Sequence, residues 1–95
     1  MNRNIKENKN IKEIASLMTE MSLEEGYTFL SEILTPAEIS TLSKRWRILK
    51  MLNEGFSQRE IAKDLQVSLC KVTRGAKILK NQESVLAQYL IKENF

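Results

Sequence analysis

The sequence predicts an all-α protein of six helices, and three observations lead there. Apolar residues recur at three- and four-residue steps along nearly the whole chain, the period of a helix with one buried face. Three Gly and one Pro are the only strong breakers in 95 residues. No stretch shows the apolar–polar alternation of a half-buried strand.

The first ten residues, rich in Asn and Lys, read as a flexible polar arm over residues 1–10, with residues 11–95 forming a single all-helical domain. Ile11, Ile14, Leu17, Met18 and Met21 then fall on one face of a first helix. Ser22 and Glu25 have the spacing of a capping box, in which a hydroxyl and a carboxylate satisfy each other's backbone N–H groups. Leu23, Tyr27, Leu30 and Leu34 continue as the stripe of a second helix. In Thr35-Pro36-Ala37-Glu38 a hydroxyl stands at the N-cap, Pro at the first helical position and Glu after it. A long helix follows, with Ile39, Leu42, Trp46 and Leu49 expected inward and Gly55 as its stop.

Ser57-Gln58-Arg59-Glu60 repeats the capping box and opens a short helix carrying Ile61 and Leu65. Gln66-Val67-Ser68 is a tight connection, and Ser68 caps a helix running from about Leu69 to Lys80. A last amphipathic helix holds Val85, Leu86, Tyr89 and Leu90.

Composition narrows the function. Hydrophobic residues at 42% and charged residues at 28% are the balance of a folded globular chain. A lone chain this short buries only roughly 60–68% of its unfolded surface, so its own core is modest. With no His and a single Cys, Cys70, the chain cannot build a nitrogen–sulfur metal cage, a Cys–His nucleophile or an intrachain disulfide. Neither a metal, nor a redox cofactor, nor enzymatic activity is expected. No apolar run approaches the ~20 residues of a membrane span, and the polar amino terminus lacks a signal-peptide core, so the expected location is the cytoplasm.

Residues 58–77 have helix-turn-helix spacing. Ile61, Leu65, Val67 and Val72 supply the apolar contacts where two helices cross, and Ala62 is the small residue that lets them approach. The second helix of this unit carries Lys71, Arg74, Lys77 and Lys80 and no acid, a local charge of +4 against +3 for the whole chain. Cations so placed neutralise phosphates, while Leu69, Cys70 and Thr73 near the helix start can reach base edges. Gln66 stands at the turn, where glycine is common, and must accept a less comfortable backbone.

Gly75, in mid-helix, costs about 1 kcal/mol relative to Ala, which calls for a reason. One reason is close packing against another helix. The other is a slot beside the reading helix, kept open for a flat ligand, with Arg74 next to it and Arg45 on the long helix. Planar guanidinium groups stack on rings and clamp carboxylates.

Leu34-Thr35-Pro36-Ala37-Glu38, Lys44-Arg45-Trp46-Arg47-Ile48, Ser57-Gln58-Arg59-Glu60 and Val72-Thr73-Arg74-Gly75 with Leu79-Lys80 resemble the tryptophan repressor family over roughly residues 34–80. The resemblance implies an intertwined homodimer that binds operator DNA when L-tryptophan, its corepressor, is bound. It implies that Arg45 and Arg74 sandwich the indole, that Arg74 and Thr35 meet the carboxylate, and that Gly75 faces the ring. Backbone carbonyls of Glu32 and Leu34 of the partner chain would accept from the ligand amine. For DNA, Leu69, Cys70 and Thr73 match base-facing positions, and Gln58, Arg59 and Lys77 match backbone or groove contacts.

Three positions depart from the family pattern. Ile78 stands where the family offers a hydroxyl to the ligand amine, Lys71 where it has Thr, and Ala62 where it has a basic residue. The leading expectation is therefore a tryptophan-responsive repressor acting as a dimer on a palindromic double-stranded operator. The alternative is a regulator of the same fold with a different ligand or none. A small all-helical enzyme that binds a dicarboxylate would use the same cations, but has no need of capping boxes around a helix-turn-helix.

Overall fold

The computed structural model describes residues 5–93. Among them are six α-helices, α1 (Ile5–Met18), α2 (Leu23–Ile33), α3 (Pro36–Asn53), α4 (Gln58–Leu65), α5 (Leu69–Lys80) and α6 (Val85–Glu93), and no strand. The chain divides into two compact units, one ending at Pro36 and the other beginning at Ala37.

The first unit contains α1 and α2. The stretch expected as an arm is helical from Ile5 onward, and residues 1–4 lie outside those described. Lys6, Glu7 and Lys9 are good helix formers, and Glu7 in the first turn complements the positive end of the helix dipole, so α1 extends beyond its apolar stripe. Met21, expected on this helix, falls past its end. The capping box of α2 forms as read: the Ser22 hydroxyl accepts from Glu25 N–H at 3.1 Å, and Glu25 Oε1 accepts from Ser22 N–H at 3.0 Å. Neither helix buries a residue.

The second unit holds the core. Ile48 and Met51 of α3, Ile61 of α4 and Val72 of α5 meet, with Leu52, Ala62, Leu65 and Val67 packed around them. The crossing residues expected of residues 58–77 thus do meet. The stripe expected on α3 does not behave as one. Leu49 is buried, but Ile39, Leu42 and Trp46 are exposed, Trp46 by 37%. The buried residues are Ile48, Leu49 and Met51, which keep only Leu49 of the expected stripe and lie in the last turns, where α4 and α5 pack. In α6 the expected Leu90 is buried and Ala87 is buried with it, whereas Val85, Leu86 and Tyr89 are exposed. Periodicity marks a face that favours burial, not the element that covers it.

Gly55, at φ 101°, ends α3, and the Phe56 N–H reaches back to the Met51 carbonyl at 3.1 Å. Gln66 closes α4 in the same manner from the left-handed region, φ 55° and ψ 48°, with Val67 N–H on the Ala62 carbonyl at 3.1 Å. It is the one non-glycine residue with positive φ among those described, and it bears out the strained turn expected there.

Candidate nucleic-acid interface and adjoining cleft

Two caps set the α4–turn–α5 unit. The Ser57 hydroxyl accepts from Glu60 N–H at 3.1 Å, and Glu60 Oε1 accepts from Ser57 N–H at 2.9 Å. The Ser57 backbone N–H, and after it the Ser57 side chain, stabilise the Glu60 carboxylate and hold it below the usual carboxylate range. Ser68 caps α5 by accepting from Lys71 N–H at 3.3 Å, but the third helical residue is Lys71 and returns no carboxylate. The first turn of α5 contains no acid at all. Its N–H groups, the positive end of its dipole and Lys71 therefore add up to one electropositive end suited to anions.

The outer face of α5 frames a shallow hollow of about 560 Å³, lined by Leu69, Cys70, Thr73, Arg74, Lys77, Ile78 and Asn81. This gathers the three residues expected to face bases together with Lys77. Lys80 and Arg59 are exposed but do not line the hollow. Gln58 joins the group through a direct bond: Thr73 Oγ1 donates to Gln58 Oε1 at 2.9 Å, tying the start of α4 to the middle of α5.

On the other side of α5 lies a cleft of about 450 Å³ between α3, the turn and α5. It brings together Arg45, Arg74, Gly75 and Ile78, four residues assigned to a ligand from the sequence. Glu32, Leu34 and Thr35 belong to the unit that ends at Pro36 and are not among the lining residues. Lys71, read from the sequence as part of the basic outer face, lines this cleft and not the hollow. Lys44, Arg45, Lys71 and Arg74 line the cleft, and its lining residues include no Asp or Glu, so the site favours an anion. Sequence reading missed Trp46, Leu49 and Leu86 as lining residues. Leu49, four residues on from Arg45, could have been found as its neighbour on one helix face; Trp46 and Leu86 carried no such signal.

Gly75 is not beside open space. A Cβ built on it would stand 3.1 Å from Ile48 Cγ2, 3.3 Å from Leu52 Cδ1 and 3.5 Å from Leu49 Cδ2. The glycine lets α5 close onto α3, which corrects the reading of a slot held open on its Cβ side. Its backbone still borders the cleft. Among the described residues no group of three or more His, Cys, Asp or Glu is placed to hold a metal ion, and no helix is long and apolar enough to cross a membrane.

The cationic α5 and the anion-favouring cleft beside it fit a DNA-binding regulator. Residues 5–94 match the family described as Trp repressor protein, and the chain belongs to that family. It is 40% identical over 73 residues to a "Trp operon repressor homolog" of Xylella fastidiosa (strain M23), covering 76% of this chain and 77% of that one. It is 36% identical over 64 residues to a protein of the same description from Chlamydia trachomatis serovar L2 (strain 434/Bu), covering 66% of this chain and 68% of that one.

Proposed function

We propose that the chain is a cytoplasmic, tryptophan-responsive transcriptional repressor that acts as a homodimer on a palindromic operator, with L-tryptophan as corepressor. One observation carries the reading: Arg74 and Ile78 line both the cleft and the outer hollow of α5. A ligand in the cleft therefore touches the residues that also shape the DNA-facing side. Arg45 and Arg74 clamp an indole and its carboxylate, Gly75 borders the ring, Thr35 lies near the carboxylate, and the Glu32 and Leu34 carbonyls come from the partner. α4 and α5 act as the helix-turn-helix, with Leu69, Cys70 and Thr73 toward bases and Gln58, Arg59, Lys77 and Lys80 toward the backbone.

The dimer is supported by what one chain leaves uncovered. α1 and α2 bury nothing, and Ile39, Leu42 and Trp46 of α3 are exposed. Apolar stripes of this kind gain roughly 25 cal/mol per Å² when a second copy covers them. A symmetric dimer then reads two half-sites about one helical turn, ~34–36 Å, apart, as described for helix-turn-helix dimers, the Trp repressor among them. The ligand acts by population shift, favouring the arrangement in which both reading helices fit the operator.

Two residues favour a second reading, a regulator of the same fold with a different ligand or none. Ile78 offers the cleft no hydroxyl for an amine, and Lys71 adds a cation there. Calorimetry with L-tryptophan and other indoles, paired with operator binding across a salt series, separates the two. The first reading expects tryptophan to tighten operator binding, with affinity falling steeply as salt rises. Equal operator binding with and without tryptophan favours the second.

A further inference from the structure

We propose that the Thr73–Gln58 hydrogen bond sets the polarity of two DNA contacts, so that Gln58 offers its amide NH2 to a backbone phosphate and Thr73 accepts from an amino-bearing base edge. The inference rests on the reading of α4 and α5 as a DNA-binding unit, and adds to it which group gives and which receives.

A threonine hydroxyl has a single proton, and here it is given to Gln58 Oε1 at 2.9 Å. Toward anything beyond, Thr73 then has only lone pairs. Its β-branched side chain has few helical rotamers, and the bond to Gln58 selects among them. Thr73 lines the outer hollow beside Leu69, Cys70 and Lys77, while its neighbour Val72 is fully buried, so its half-exposed face is the outer one. With the Gln58 oxygen engaged, the end of that amide left for other partners is NH2, a pure donor that matches the acceptor-only phosphate oxygens.

In the major groove adenine N6 and cytosine N4 donate, whereas guanine O6 and N7 and thymine O4 accept. A hydroxyl whose proton is committed is matched to the first pair and opposed by the lone pairs of the second. Thr73 is thus a specificity-determining residue, and Gln58 is the positioning residue that makes it so.

The test is selection from a randomised operator library by the intact protein and by Thr73→Ser, Thr73→Val and Gln58→Ala, followed by neutral methylphosphonate substitution along the selected site. The wild-type chain should prefer adenine or cytosine by roughly 5-fold or more at one position of each half-site. Thr73→Ser should keep that preference, and Thr73→Val should lose it. Gln58→Ala should admit guanine or thymine there, because the threonine proton is released. One methylphosphonate should weaken the wild type several-fold and leave Gln58→Ala unaffected. Gln58→Ala with the wild-type preference at every position, or a Thr73-dependent preference for guanine or thymine, overturns the assignment while DNA binding stands. Failure of the wild type to select any sequence, with or without tryptophan, would remove the DNA-binding reading and this inference together.

Discussion

Ile48 Cγ2 lies 3.1 Å from the point a Cβ on Gly75 would occupy. α5 therefore approaches α3 as closely as it does because residue 75 has no side chain, and the cleft lies alongside that contact.

Gly75→Ala should lower the melting temperature of the ligand-free protein. The gain in helix propensity is about 1 kcal/mol, but overpacking costs about 1–3 kcal/mol, and the β-branched Ile48, 3% exposed, gives way poorly. A net loss near 1 kcal/mol would shift the midpoint down by roughly 4–8 °C in a domain of this size. The cost should shrink in an Ile48→Leu background, which moves the offending methyl. A higher midpoint in thermal denaturation would mean that Ile48 moves aside freely.

Gln66→Gly should stabilise the protein. The left-handed conformation at φ 55° costs an L residue about 1–2 kcal/mol, part of which glycine's greater freedom in the unfolded chain takes back. Urea denaturation should show a higher midpoint with an unchanged slope, and Gln66→Val should shift the midpoint the other way.

Arg45→Ala should weaken tryptophan binding about 10- to 100-fold, the range of one charge-assisted bond, and leave non-specific DNA binding nearly intact. Arg45 lines the cleft alone, whereas Arg74 lines both the cleft and the hollow. Arg74→Ala should therefore reduce both. Calorimetry for ligand and fluorescence anisotropy for DNA read the two effects separately, and identical behaviour of the two variants would contradict this division.

The α4 capping box should give stability that depends on pH in one direction. The Glu60 carboxylate is held below its ordinary range by Ser57, so its contribution is complete above the unfolded carboxylate range and disappears as pH falls through the lowered folded value. Glu60→Ala should melt below the wild type at neutral pH, with the gap closing in acid. A gap that stays constant across the carboxylate range would show that the charge plays no part.

What this sequence determined by itself is what neighbours along the chain can decide. Ser22 with Glu25, Ser57 with Glu60, and Ser68 ahead of Leu69 mark helix starts because the bonds they form span three residues. Gln66 could be read as strained, and Ile61, Leu65 and Val72 as crossing residues, because a short turn leaves two adjacent helices little freedom. Tertiary structure alone decided the rest. Ile39, Leu42 and Trp46 have the spacing of an inward face yet are exposed, since spacing cannot say whether a partner lies opposite. Gly75 admitted two readings until α3 was seen against it. The bond between Thr73 and Gln58, and the meeting of Arg45 with Arg74 on one cleft, depend on how helices dock across long stretches of chain, and docking is set by packing among many side chains at once.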